Sequence, residues 1–194
     1  MRLVLLLEEP SMKAFLEALL PRLAPGLPFV CVSFEGKADL RRSAARKVRS
    51  WKEPGASFLI LVDQDHDDCR RLKRELLESV RTQAGPDAPV GVRIVCRSLE
   101  SWLLSDLESL PSLGAKMPSG GEPSPFREKF RDPDALTNAS EELARLLGMP
   151  RLLKVETGRR LGAVLSPERS TSHSFRVFAA TVARTAATSS PENQ

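Results

Sequence analysis

Asp63 and Asp65 close a short apolar run, Phe58-Leu59-Ile60-Leu61-Val62, and Asp67 and Asp68 follow almost at once. Carboxylates packed this closely repel one another unless solvent or a cation screens them. Asp63 and Asp65 are two apart, so in a chain that stays extended they point to one side. Hard divalent cations such as Mg²⁺ take oxygen donors of this kind and keep part of their water shell. Capping of the next helix accounts for Asp67 or Asp68 but gives no reason for Asp63 and Asp65. The pattern therefore points to a divalent-metal site, with His66 expected in an exposed first helical turn and not as a ligand.

A strand buried on both faces reads as a continuous apolar run, and ligands in open α/β sheets bind beyond the carboxyl ends of such strands. Four runs have this character: Arg2–Leu7, Phe29–Phe34, the run ending at Asp63, and Val90–Val95. Between them lie stretches with apolar residues at helical spacing, such as Met12, Phe15, Leu16, Leu19 and Leu20 after Pro10-Ser11. The alternation predicts an α/β fold, an open, mainly parallel four-stranded sheet flanked by helices. The first run ends in Glu8 with Glu9 beside it, the third in Asp63 and Asp65, and the fourth is followed by Glu100. In a parallel sheet these ends share one rim, so the acids can converge on one or two cations. Two ions about 4 Å apart can hold both the attacking water and the leaving oxygen of a phosphodiester.

Residues 1–110 are expected to form this domain and 111–136, rich in Pro and Gly, an irregular connection. Residues 137–185 are expected to form a helical extension packed on the same domain, with helices near 137–147, 156–165 and 173–185. Residues 186–194 read as a disordered tail.

The 194 residues carry a net charge of +4, and 41% are apolar. No stretch is long enough to span a membrane, and the start turns acidic too soon for a signal peptide. Cys31, Cys69 and Cys96 give neither a disulfide framework nor a metal-thiolate spacing, which suits a cytoplasmic protein. Arg41, Arg42, Arg46, Lys47 and Arg49 cluster on one helix without an intervening acid. They form either a solvated face or a track for nucleic-acid phosphates. With no Tyr and two Trp, a stacking surface for single strands is not expected. Trp102 reads as core and His173 as part of a helix cap.

An acid closing the first strand (Leu6-Leu7-Glu8), followed by Val62-Asp63-Gln64-Asp65 closing the third, resembles the Toprim domain over residues 1–106. Ser98-Leu99-Glu100 is similar to an added metal-binding element of its nuclease branch, that of overcoming-lysogenisation-defect (OLD) nucleases. The whole chain resembles more closely domain-of-unknown-function family 4276, small stand-alone Toprim-like proteins often encoded beside an ABC-type ATPase. That likeness is carried by Gly36–Leu40, Leu61–Asp65, Leu99–Asp106 and Ser172-His173-Ser174-Phe175. The resemblance implies a nuclease dependent on Mg²⁺ or Mn²⁺, acting on nucleic acid with DNA the expected kind. It also implies an ABC-type ATPase partner and a place in antiphage defence. Asp63, Asp65 and Glu100 would hold the metal, Glu8 would bridge it or act as base, and Lys37 or Lys154 would face the phosphate. One departure stands out. The family has Glu-Gly and then a Thr-Glu pair where this chain reads Glu8-Glu9-Pro10-Ser11-Met12, which leaves open whether Glu8 or Glu9 faces the metal. The strand-end position favours Glu8. Two other readings fit parts of the pattern: a catalytically silent Toprim-like subunit of an ATPase complex, and a receiver-like phosphoacceptor. The receiver would need a lone Asp after the third strand and a Lys after a fifth.

Overall fold

The computed structural model describes residues 1–117 and 125–189. Four strands, β1 (Arg2–Leu7), β2 (Phe29–Ser33), β3 (Ala56–Asp63) and β4 (Val90–Val95), form one sheet in the order β2-β1-β3-β4. Every pairing is parallel. Among the described residues there is no fifth strand, so the lysine that a receiver needs has no strand to carry it.

Alternation along β1 and β3 divides the apolar residues between two cores. Leu3, Leu5, Leu7, Leu59 and Leu61 face one side, with helices α1 (Pro10–Leu23) and α4 (Leu99–Leu104). Val4, Leu6, Phe58, Ile60 and Val62 face the other, with α2 (Lys37–Arg49) and α3 (Cys69–Ala84). Pro10 starts α1, where its missing N–H costs nothing, and Asp68 caps α3 by accepting from the Arg71 amide at 2.7 Å.

The connection expected to be irregular contains ordered turns where it is described: a 3₁₀ segment Leu107–Leu113, the short α5 (Pro125–Lys129) and a 3₁₀ turn Pro133–Ala135. Residues 118–124 of that stretch lie outside the described residues. Three helices follow: α6 (Ala139–Leu146), α7 (Lys154–Gly162) and α8 (His173–Ser189). Helix α7 begins two residues earlier than its periodicity suggests, which places Lys154 inside the helix.

Helix α8 corrects the expected tail, because it continues through Ala186 to Ser189. Phe175, Phe178 and Val182 are buried along one stripe and Ala186 extends the same stripe against the core. Thr185, Thr188 and Ser189 hydroxyls donate back to carbonyls of the preceding turn. Residues 190–194, the rest of the expected tail, lie outside the described residues.

The stretch Leu99–Asp106 is mostly scaffold. Trp102 packs among Phe15, Phe175 and Phe178 and donates its indole N–H to Ser174 Oγ at 2.7 Å. Asp106, buried, takes both arms of the Arg169 guanidinium at 2.9 and 2.7 Å and fixes the turn before α8. Ser172 caps α8 by accepting from the Phe175 amide, and both Ser172 and Ser174 donate to Asp134. The capping expected near His173 therefore comes from Ser172, with Asp134 accepting the Ser174 amide at 2.8 Å.

Candidate metal centre

Neighbouring strands β1 and β3 send their following helices to opposite faces of the sheet, which opens a crevice at their carboxyl ends. Glu8 and Asp63 sit in that crevice. Glu8 Oε2 accepts the backbone N–H of Asp63 at 2.9 Å, clamping the two strand ends together. Burial pushes the Glu8 carboxyl above its ordinary value, although the Asp63 amide and the Lys37 charge pull the other way.

Asp63 continues the alternation of Leu59 and Leu61, so its side chain goes under α1 and is only 6% exposed. Burial drives its carboxyl well above the usual range, and the charges of Glu8, Glu100, Glu9 and Asp65 push in the same direction. Its Oδ1 has no hydrogen-bond partner. A buried carboxylate oxygen without a donor is costly, and a hard cation is the group that would satisfy it.

Glu100 reaches the same place from the first turn of α4, whose residues are all buried. At 2% exposure its carboxylate meets Lys154 Nζ at 3.1 Å. Glu9, one residue before α1, lies 4.0 Å from the same ammonium and accepts from the Ser11 hydroxyl. Burial works against the charge on Lys154, but Glu100 and Glu9 outweigh it and hold the ammonium above its ordinary value.

The position of Lys154 follows from the way α7 meets α1. Lys154, Gly158 and Gly162 fall four apart on one helical face. A Cβ on Gly158 would stand 3.0 Å from the Ser11 carbonyl oxygen, and one on Gly162 would overlap the Phe15 carbonyl oxygen. Only glycine lets the two backbones approach this closely, and that approach carries Lys154 to the start of α1.

Asp65 departs from the sequence expectation. The extended conformation ends at Asp63, and Asp65 is left-handed at φ 52°. The turn is held by Gln64 N–H to Val95 O, Asp65 N–H to Arg97 O and Arg97 N–H to the Gln64 side-chain oxygen. Asp65 therefore does not share a side with Asp63. Its exposed carboxylate binds Lys37 Nζ at 2.7 Å, and Asp67 binds the same ammonium at 3.1 Å. Burial opposes the charge on Lys37, but these carboxylates, with Glu8 nearby, hold its pKa above the ordinary value. Lys37 opens α2 directly after Gly36, whose φ of 90° suits glycine.

Two groups result. Asp63, Glu100, Glu9 and Lys154 occupy the α1 side, while Asp65, Asp67 and Lys37 occupy the α2 side, with Glu8 between them. Among the described residues no three acidic, His or Cys side chains close into a metal-ligating set. Each carboxylate but Asp63 leans toward an amide, a hydroxyl or an ammonium. The carboxylates of Glu8, Asp63 and Glu100 are nonetheless oxygen donors of the kind a hard divalent cation takes, and the orphaned Asp63 Oδ1 is the one such an ion would meet. Glu9, weighed against Glu8 from the sequence, lies beside Lys154, and Asp67, expected at most to cap α3, pairs with Lys37 while Asp68 makes the cap.

Arg41, Arg42, Arg46 and Arg49 of α2 are exposed and Lys47 is half-buried, and several of them are paired. Arg41 lies 3.4 Å from Glu75, Arg42 lies 3.8 Å from Asp39, Arg46 contacts Ser43, and Lys47 sits over Trp51 at 5.9 Å. Arg49 lies in the last turn of the same helix. His66 is exposed. No helix among the described residues is long and apolar enough to cross a membrane.

Solved structures match the whole chain. The C-terminal region of the Burkholderia pseudomallei OLD protein aligns over 95% of this chain and 98% of its own length, at 18% identity and a TM-score of 0.51. The C-terminal region of the Xanthomonas campestris pv. campestris OLD protein aligns over 96% of each chain, at 17% identity and the same TM-score. At these identities the likeness establishes the fold, which is Toprim-like. No curated protein sequence matches the chain. Residues 7–183 match the family model described as "Domain of unknown function (DUF4276)", and the chain belongs to that Toprim-like family.

Proposed function

We propose that the protein is a divalent-metal-dependent nuclease that hydrolyses phosphodiester bonds at the crevice between β1 and β3. The observation that carries this reading is the unpartnered Oδ1 of Asp63, buried where Glu8 and Glu100 converge. Glu8, Asp63 and Glu100 would hold Mg²⁺ or Mn²⁺, and Asp65 would join them only after releasing Lys37. A bound cation there would supply Lewis acidity toward the phosphate and a more acidic water. If Glu8 leaves the ion to Asp63 and Glu100, its carboxylate would instead act as the general base. Lys154 is placed to face negative charge developing on the phosphate, and the exposed cations of α2 to hold the nucleic acid by its backbone. DNA as the substrate, an ABC-type ATPase as partner, and a cytoplasmic role in antiphage defence belong to the same proposal and are supported by the family resemblance alone.

Supercoiled plasmid incubated with the purified chain and Mn²⁺ or Mg²⁺ should be nicked or linearised, and Asp63→Asn or Glu100→Gln should abolish the cleavage. A second reading, a silent subunit that binds without cutting, is favoured by one feature: both lysines are already bonded to carboxylates. That reading wins if the chain binds Mn²⁺ yet leaves plasmid intact even with its ATPase present.

A further inference from the structure

The positive charge of the chain is unevenly placed. Helices α2 and α3 together hold eleven basic and three acidic residues, whereas the rest of the sequence holds eighteen basic and twenty-two acidic. The whole excess therefore lies on two helices. They sit side by side on one face of the sheet and are joined through Glu75, which meets Arg41 at 3.4 Å and Arg71 at 3.8 Å. On α3, Arg70, Arg71, Lys73, Arg74 and Arg81 are exposed, while Leu72, Leu76 and Val80 do the packing. Of those five cations only Arg71 has an ion-pair partner among the described residues. Like charges left unanswered along one face are suited to a large anion.

Single strands are held by stacking their bases on aromatic rings as well as by charge. No aromatic side chain of the chain is exposed: the large apolar residues at the surface are Met1, Leu153, Val155 and Val177. Trp51, just after α2, packs edge-on against Phe58 beneath Lys47. A duplex, whose bases are already stacked, asks only for cations along its phosphates. Helix α3 has 16 residues and so runs ~24 Å, the length of about seven base-pair steps. Packed helices lie about 8–10 Å apart. Two such rows of long cations suit the phosphates on either side of the narrow minor groove of B-form DNA, and not the wide minor groove of A-form RNA. We propose that α2 and α3 form one face that grips duplex DNA by its phosphates across the minor groove, without reading sequence. Arg70, Lys73 and Arg74 of α3 are its principal contacts beside those of α2. Both helices start at the rim, α2 at Lys37 and α3 directly after Asp68, so a duplex on this face reaches the crevice from the Lys37 side. The inference rests on the nucleic-acid reading given above and deepens it, naming the form of the substrate and a second helix that holds it.

Fluorescence anisotropy of a labelled DNA duplex about two helical turns long, titrated with the full chain in EDTA, tests this face apart from the metal centre. Affinity should fall with salt, with a slope of log K on log salt of roughly −4 to −6. The triple variant Arg70→Gln, Lys73→Gln, Arg74→Gln should bind at least about tenfold more weakly and flatten the slope by about 3. The triple Lys116→Gln, Arg159→Gln, Arg184→Gln removes the same charge from exposed positions outside α2 and α3 and should change affinity by less than about twofold. Equal losses in the two triples would overturn the inference, as would no binding by the wild type. Tighter binding of single-stranded DNA, or of an RNA duplex of the same length, would overturn it too, and these comparisons need no variant to fold. Any of these failures leaves the metal centre standing, because Mn²⁺ binding by the same protein is read separately.

Discussion

The two lysine–carboxylate groups on the rim have the same chemistry and opposite surroundings. Around Lys37, Asp65 is more than half exposed, and the contacts lie over solvent at the end of a turned loop. Around Lys154, Glu100 and Asp63 are almost fully buried beneath α1 and α7. Water screens the first group, so its pairs are worth ~0–1 kcal/mol each. In the second group Lys154 is 45% exposed, against 17% for Lys37, but the two acids beneath it are closed off from water, and Asp63 Oδ1 is the oxygen left without a partner. Burial, and not the number of acids, marks the side of the rim on which the proposed cation would sit.

The largest expected effect comes from removing that buried oxygen. Asp63→Asn should reduce metal-dependent cleavage by roughly 10²–10³-fold or more, measured as single-turnover rate on plasmid, whereas Asp65→Asn should cost far less. Comparable losses in the two variants would erase the distinction between the groups.

The same substitution should stabilise the metal-free protein. The Asp63 carboxyl titrates higher in the folded chain than the ordinary value of 3.8. Its favourable contribution is therefore complete below that value and is lost as pH rises through the folded pKa. At neutral pH that contribution is reduced or gone, so Asp63→Asn should gain roughly 1–3 kcal/mol there. The gain should shrink toward zero near pH 4, as read by urea denaturation without divalent metal. A gain that stays constant with pH would show that the Asp63 charge is not the cause.

Gly162→Ala tests the helix contact that carries Lys154. A Cβ overlapping the Phe15 carbonyl must push α7 away, at roughly 1–3 kcal/mol in thermal or urea unfolding, with weaker metal-dependent activity. Gly91→Ala, whose added Cβ would meet the flexible end of the Leu59 side chain at 3.3 Å and not a backbone carbonyl, serves as the comparison. The smallest effect is expected for Asp67→Ala, which removes one partly exposed partner of Lys37 and should change stability by less than ~1 kcal/mol.

Much of this arrangement can be read from residue types. Apolar runs locate the four strands because a sheet buried on both faces leaves few other choices, and the acids at their ends follow. The side on which Asp65 lies was not legible, because its left-handed turn depends on hydrogen bonds from Gln64 and Asp65 to the end of β4. Lys154 stands among apolar neighbours in Leu152-Leu153-Lys154-Val155, and residue types alone do not say that it reaches Glu100. Its placement depends on Gly158 and Gly162 meeting α1, a long-range contact that spacing could suggest and only packing could fix. The length of α8 was hidden for a similar reason: Thr185, Thr188 and Ser189 near its end are weak helix formers that offset the propensity of the alanines among them, and the stripe from Phe175 to Ala186 against the core sustains it.

Crystals soaked in Mn²⁺ and measured at a wavelength with manganese anomalous signal test the central claim most directly. An anomalous peak about 2.1 Å from Asp63 Oδ1, shared with Glu8 and on the α1 side of the rim, is the expected result. A peak held by Asp65 and Asp67 on the α2 side, or none at saturating Mn²⁺, would contradict it.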